Sequence, residues 1–97
     1  MEIKIQSVKF DADKKLVDFI NAKLTKMERF SEDIISADVI LKLDKDHESG
    51  NKVATVKLEI KGGDAVAERR AKSFEEAVDE CIDALKKQIE KLKEKNK

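Results

Sequence analysis

The chain opens with an alternation of apolar and polar residues. Ile3 and Ile5 stand between polar neighbours, and the alternation ends near Val8 or Phe10. Because side chains two residues apart share one face of a strand, this pattern predicts a first strand with one dry face. Three later segments show the same alternation: 35–43, 53–60 and 65–71. We therefore predict four half-buried strands.

Each of the later strands has a predicted apolar face. In the second strand this face consists of Ile35, Ala37, Val39, Leu41 and Leu43. In the third strand it consists of Ala54, Val56, Leu58 and Ile60. The fourth face is made of small side chains, interrupted by Arg69: Ala65, Ala67 and Ala71. Such small residues would let a helix approach the sheet closely.

Two segments carry apolar residues at three- and four-residue spacing, which is typical of amphipathic helices. The first runs from about Asp13 to Arg29, with Asp11 and Asp13 as candidate caps. Its stripe is Leu16, Phe19, Ile20, Leu24 and Met27. The second begins at a capping box, Ser73 followed by Glu76. Its stripe is Phe74, Val78, Cys81, Ile82, Leu85, Ile89 and Leu92, and the basic tail 93–97 is predicted to fray.

The elements follow the order strand, helix, strand, strand, strand, helix. A polar loop at 44–51 and a Gly62-Gly63-Asp64 turn separate the last three strands. The first helix most simply makes a right-handed crossover between parallel strands, and the later strands form an antiparallel meander. The sequence thus predicts an α+β fold, a single domain over 1–97, with a four-stranded mixed sheet and both helices on one face.

Composition narrows the class of protein. The 97 residues include 21 Lys+Arg and 21 Asp+Glu, so the formal net charge is zero, and 40% of the residues are hydrophobic. This is too apolar for a disordered tail, and the absence of net charge argues against a simple polycationic nucleic-acid binder. With one cysteine, no apolar window long enough for a membrane span and no signal-peptide pattern, we expect a reduced, cytoplasmic location.

Candidate catalytic and metal-binding residues are few. His47, the only histidine, lies in the polar loop beside Asp46 and Glu48, which indicates a solvated residue. Cys81 lies in the apolar stripe of the last helix, where a thiol acts as a small core residue. The pair Gly62-Gly63 lacks the context of a phosphate-binding loop and indicates only a turn. We therefore predict no catalysis, no metal, no cofactor and no small-molecule substrate.

Charge is sorted along the helices. The last helix has five acids and no base over 74–83, whereas 84–97 has six lysines and two acids. At about 100° per residue, Lys87 and Lys91 share one flank of the stripe, and Lys86 and Lys93 share the other. On the first helix a compact basic flank is formed by Lys15, Lys26 and Arg29. Lys23 falls inside the apolar stripe, so its ammonium must reach out at the helix edge.

These helix ends form a shared basic patch if the two helices pack in parallel. The alternative is that the lysines are simply solvated charges, as on most helix surfaces.

Several segments, in this order and spacing, resemble the ribosome hibernation promoting factors, also called ribosome-associated inhibitor or sigma-54 modulation proteins. The segments span almost the whole chain: Met1-Glu2-Ile3-Lys4-Ile5, Lys23-Leu24-Thr25-Lys26-Met27-Glu28-Arg29-Phe30, Val39-Ile40-Leu41-Lys42, Gly62-Gly63, Ser73-Phe74-Glu75-Glu76-Ala77-Val78-Asp79 and Leu85-Lys86-Lys87-Gln88-Ile89-Glu90-Lys91-Leu92-Lys93.

The resemblance implies a sheet with two parallel helices on one face, similar to a double-stranded RNA-binding domain. It also implies binding to the small ribosomal subunit in the mRNA and tRNA channel, which blocks translation in stressed or stationary-phase bacterial cells. Family members contact ribosomal RNA through basic residues on the helices. The matching positions here are Lys23, Lys26, Lys87, Lys91 and Lys93.

The chain departs from the family pattern at three positions. Phe30 replaces a frequent Tyr, Ala84 stands where many members have Lys, and Glu90 stands where a neutral residue is common. The RNA-facing charge is therefore expected to be thinner than usual. The chain resembles the short members that lack a dimerisation domain, so any pairing of ribosomes would need a second hibernation factor.

Residue pattern and resemblance together predict an rRNA-binding site of seven basic residues: Lys23, Lys26, Arg29, Lys86, Lys87, Lys91 and Lys93. Two alternatives remain open at this stage. One is a free-standing module that binds structured RNA through shape and phosphate contacts. The other is a protein-interaction module that uses the exposed sheet face, where Val53, Thr55 and Ile40 would meet a partner.

Overall fold

The computed structural model describes residues 1–44 and 50–95, and side chains up to Leu92. The elements are β1 (Glu2–Val8), α1 (Lys14–Phe30), β2 (Ile34–Leu43), β3 (Lys52–Ile60), β4 (Gly63–Ala71) and α2 (Phe74–Lys95). The predicted order is confirmed. Strand β4 begins earlier than predicted, because Gly63 pairs with Ile60 and leaves a turn of only Lys61 and Gly62. Helix α2 continues to Lys95, while the fraying of the tail 93–97 stays a prediction.

The sheet has the order β1-β2-β3-β4. Strands β1 and β2 are parallel, with Ile5 opposite Val39, and the other two pairs are antiparallel. A parallel pair needs a crossover, and α1 supplies it. The four-stranded mixed sheet of the predicted α+β fold is therefore confirmed.

The predicted apolar face of β2 is wrong at both ends. The register between β2 and β3 shifts between Ile34 and Ser36, so one extra residue is inserted there. A bulge of this kind breaks the alternation. Ile34 is buried in place of Ile35, which is 53% exposed. At the other end of the strand, Leu43 is also exposed.

Both helices cover the same sheet face and run in parallel. The Nζ of Lys23 on α1 lies 3.1 Å from the Oδ1 of Asp79 on α2. Seven residues further along both helices, the Nζ of Lys86 lies 5.9 Å from the centroid of the Phe30 ring. Because both partners advance in the same chain direction, the C-terminal halves of the helices lie at the same end of the molecule.

Side-chain caps fix where both helices begin. The Asp13 carboxylate accepts a hydrogen bond from the Leu16 N–H at 2.8 Å, and the Ser73 hydroxyl oxygen accepts one from the Glu76 N–H at 3.2 Å. These bonds satisfy N–H groups that lack partners within the first helical turn. Of the two candidate caps of α1, Asp13 is therefore the one used.

The core lies between the helices and the sheet. Its fully buried larger side chains come from both helices and from the two central strands: Ile20, Leu24, Met27, Val39, Leu41, Val56, Leu58, Val78, Cys81, Leu85 and Ile89. Ala65 and Ala67 are buried on β4, as the expected close approach of a helix requires. The Sγ of Cys81 on α2 lies 3.3 Å from the Ala54 carbonyl oxygen and 3.6 Å from that of Ala67.

Within residues 1–44 and 50–95, neither helix is both long enough and apolar enough to cross a lipid bilayer.

Candidate nucleic-acid interface

The parallel helices bring most of the predicted basic residues together along both sides of α2. Lys26, Arg29, Lys86, Lys87 and Lys91 are all exposed, and Lys23 is half-buried. The side chain of Lys93 lies outside the described residues. The predicted cations fall into two groups on either side of α2, and Arg29 occupies the last turn of α1.

The first group lines a groove between α1 and α2, the interhelical groove. Three lysines border it: Lys23, Lys26 and Lys86. Its apolar lining is Met27 and Ile82, and its volume is about 400 Å³. Asp79 and Asp83 of α2 line the same groove. A phosphate entering it would therefore meet positive and negative groups side by side.

Lys23 is held by two contacts inside this groove. Its ammonium lies 3.1 Å from the Asp79 carboxylate and 5.4 Å from the centroid of the Phe19 ring. The residue is half-buried, which agrees with its predicted place in the apolar stripe of α1. The ion pair itself was not predicted, because the partner of Lys23 depends on how the two helices pack.

Lys86 is placed over an aromatic ring. Its Nζ lies 5.9 Å from the centroid of Phe30, a half-buried residue that packs against the core. A cation at this distance is attracted to the ring face. The contact needs only the ring, so the replacement of a frequent Tyr by Phe30 preserves it. The contact holds the ammonium beside the interhelical groove, which Lys86 lines.

The second group lines a shallow depression of about 440 Å³ between α2 and β4. Lys87 and Lys91 border it, together with Arg69 of the edge strand. The guanidinium of Arg69 donates to the Glu68 carbonyl oxygen at 2.7 Å. Arg69 was not among the predicted site residues. Its signal in the sequence is the break in the alanine face of β4, which places a long cation on the helix side of the sheet.

Acidic residues also surround this second group. Glu80 and Asp83 line the depression together with the three cations. The surface is therefore an interleaved arrangement and not a uniformly basic patch. Exposed lysines flanked by carboxylates can contact phosphates one at a time, and they read no base sequence.

The candidate catalytic and metal-binding side chains form no second functional site among the described residues. Cys81 is fully buried, and burial raises the pKa of its thiol to about 11, with the nearby Arg69 charge offsetting part of the shift. A thiol with so high a pKa is a poor nucleophile at neutral pH, which agrees with its predicted place in the core. His47 lies outside the described residues. Within the described part of the chain, no cluster of three or more ligating side chains could hold a metal ion.

The opposite face of the sheet differs from expectation at Val53. This residue is only 3% exposed, so the prediction that it meets a partner is wrong. Its cross-strand neighbours are Lys42 and Arg70, whose long side chains can cover it. Thr55 donates a hydrogen bond to the Glu68 carboxylate at 3.0 Å. Of the three predicted contact residues, Ile40 alone remains an exposed apolar side chain, at 39%.

Comparisons with known proteins agree on one family. Residues 3–97 match the model of the family described as sigma 54 modulation protein / S30EA ribosomal protein. A ribosome hibernation promoting factor of Klebsiella oxytoca is 29% identical over 97 residues, covering 100% of this chain and 98% of that protein. A ribosome hibernation promoting factor of Pseudomonas putida is 28% identical over 95 residues, covering 98% of this chain and 89% of that protein.

Two solved structures share the fold. The N-terminal domain of Thermus thermophilus Protein Y superposes with a TM-score of 0.81 at 22% identity, covering 95% of this chain and 99% of that one. A ribosomal subunit interface protein of Coxiella burnetii superposes with a TM-score of 0.85 at 19% identity, covering 96% and 98%. At these identities the likeness supports the fold alone.

Proposed function

Because the chain belongs to the family of sigma 54 modulation proteins and S30EA ribosomal proteins, we propose that it is a hibernation factor that binds the small ribosomal subunit. In this proposal it fills the channel used by mRNA and tRNA and blocks translation in stressed or stationary-phase cells. The relatives named ribosome hibernation promoting factors support a role at the ribosome.

The observation that carries the proposal is the placement of cations from two helices and the edge strand along both sides of α2. Lys23, Lys26 and Lys86 border the interhelical groove, and Arg69, Lys87 and Lys91 border the neighbouring depression. Lysine is a point charge that suits phosphate contacts. These residues would therefore position the protein on the ribosomal RNA backbone, with Arg29 beside them.

Charge favours a structured ribosomal pocket over an isolated RNA helix. The formal net charge is zero, so general attraction to a polyanion is weak. A folded channel can surround the protein and place several phosphates against its few cations at once, whereas a straight duplex meets only one side of it. We therefore expect much tighter binding to the subunit than to free duplex.

The proposed mechanism is occlusion. A rigid body held in the channel excludes mRNA and tRNA, and this inhibition requires no bond to be made or broken. The strength of this inhibition depends on how long the protein stays bound in the channel. Phosphate contacts release counterions. We therefore expect each contact to steepen the slope of the logarithm of the binding constant against the logarithm of the salt concentration by roughly 0.7 to 0.9.

The test is co-sedimentation of the purified protein with small subunits, and separately with an RNA duplex, across a salt series. We expect subunit binding that weakens with salt and is competed by initiator tRNA and mRNA, with little duplex binding. Equal binding to duplex and subunit would instead support a general structured-RNA module. Binding to neither would contradict both functions.

A further inference from the structure

The interhelical groove contains a carboxylate, Asp79, that competes with phosphate for the Lys23 ammonium. The Oδ1 of Asp79 lies 3.1 Å from the Nζ of Lys23, and both side chains are partly open to solvent, at 48% and 37% exposed. Asp83 lies one helical turn further along the same groove. Lys23 is therefore already paired before any partner arrives.

An ion pair this exposed contributes little to folding, because water and salt screen it. Its effect on a ligand is larger. A phosphate that approaches Lys23 must displace the Asp79 carboxylate or remain beside it, and juxtaposed like charges oppose binding. Every generic polyanion meets this opposition.

We propose that Asp79 is a specificity-determining residue that screens Lys23 from generic phosphate. The opposition is relieved for a partner that places a hydrogen-bond donor, such as a ribose hydroxyl or a base amino group, against the carboxylate while its phosphate meets Lys23. Folded RNA presents such donors in fixed positions beside its phosphates. The repulsive element thus disfavours the wrong partner more than the right one.

This inference rests on the proposed function, since it takes the small subunit as the favoured partner. The carboxylate and the amide are nearly isosteric, so Asp79→Asn removes the charge with little change in shape. Asp38→Asn is the matched control, because it makes the same substitution at an exposed position on the opposite face of the sheet.

The experiment measures binding to a generic RNA duplex and to small subunits, from about 50 mM salt upwards, where weak phosphate contacts are detectable. For Asp79→Asn we expect duplex affinity to rise about three- to tenfold and its salt dependence to steepen by roughly 0.7 to 0.9. Subunit affinity should rise less or fall, so that the ratio of the two affinities drops. Asp38→Asn should leave the ratio at the wild-type value.

A double variant shows whether the gain acts through Lys23. In a protein that already carries Lys23→Gln, Asp79→Asn should give no gain in duplex affinity. Comparison of the two single variants with the double variant isolates the coupling between Lys23 and Asp79. The inference is overturned by unchanged or weaker duplex binding of Asp79→Asn, by an equal rise for subunit and duplex, or by an equal gain in the Asp38→Asn control. If the wild-type protein does not bind small subunits, the proposed function is contradicted. The measurement with the RNA duplex still tests whether Asp79 screens Lys23.

Discussion

The Gln88 side chain pairs with the backbone of Val66 as a neighbouring strand would. Its amide nitrogen donates to the Val66 carbonyl oxygen at 2.9 Å, and its amide oxygen accepts from the Val66 N–H at 3.3 Å. Strand β4 is an edge of the sheet, and its outward backbone groups are open to pairing with other chains. Helix α2 thus blocks the middle of this edge with a single side chain.

Replacing Gln88 with Ala should reopen the edge. We expect a loss of about 1 kcal/mol in unfolding free energy, because two exposed hydrogen bonds disappear, and new self-association at high protein concentration. Denaturant unfolding and sedimentation velocity measure the two effects. Gln6→Ala, an exposed glutamine on β1, is the control. A Gln88→Ala protein that stays monomeric at every concentration would show that the edge is protected by other means.

Charge reversal at Lys87 and Lys91 should abolish subunit binding. Both residues are exposed one turn apart on α2, so Lys87→Glu with Lys91→Glu should leave folding intact. In the proposed function two phosphate contacts would become two repulsions, and we expect at least a tenfold loss of affinity for small subunits in co-sedimentation. Lys4→Glu with Lys57→Glu makes the same charge change on the opposite sheet face. Similar losses in both double variants would remove this helix flank from the binding surface.

The buried thiol should make stability fall at alkaline pH. The pKa of Cys81 is raised from 9.0 to about 11 in the folded protein, so the unfolded chain loses this proton first as the pH rises. The stabilisation is complete below pH 9 and is lost between pH 9 and about 11, by about 2 to 3 kcal/mol. Urea unfolding of wild type and Cys81→Ala across this range gives the difference directly. A difference between the two proteins that is independent of pH would contradict the shift.

The backbone contact at Gly50 should tolerate no side chain. A Cβ there would lie 2.7 Å from the carbonyl carbon and oxygen of Ala71, whereas a Cβ at Gly63 would have only Leu92 at 4.0 Å. Both glycines have the same φ of +159°, so Gly63→Ala controls for backbone preference. We expect Gly50→Ala to lose about 1 to 3 kcal/mol more than Gly63→Ala in thermal or denaturant unfolding. Equal losses would mean that the contact relaxes without cost.

Local pattern was sufficient for most of the fold. The order of elements, the caps at Asp13 and Ser73 and the burial of Cys81 each depend on spacing within one segment. The bulge at Ile35 was not predicted, because an extra residue in one strand is defined only by its partner strand. The burial of Val53 was not predicted for a related reason, since the residues directly opposite it, Lys42 and Arg70, belong to neighbouring strands.

The candidate site was predictable only in part. Helical angles placed Lys87 and Lys91 on one exposed flank, because that depends on α2 alone. The pairing of Lys23 with Asp79 and the entry of Arg69 into the second group depend on how α2 packs against α1 and β4. The break in the alanine face of β4 marks the position of Arg69, but which residues these side chains meet on other elements leaves no periodic signal in the chain.

The charge sorting of α2 separates its acidic side chains from its lysines along the helix, within a protein whose formal net charge is zero. In α2 the acids precede the lysines, and α1 finishes with Lys26 and Arg29 at the same end. A polyanion exerts little net force on a neutral body, but its field applies a torque that turns the lysine-rich end of α2 forward. In the proposed function, molecules would reach the ribosomal RNA already oriented, and the association rate would fall with added salt although the formal net charge is zero.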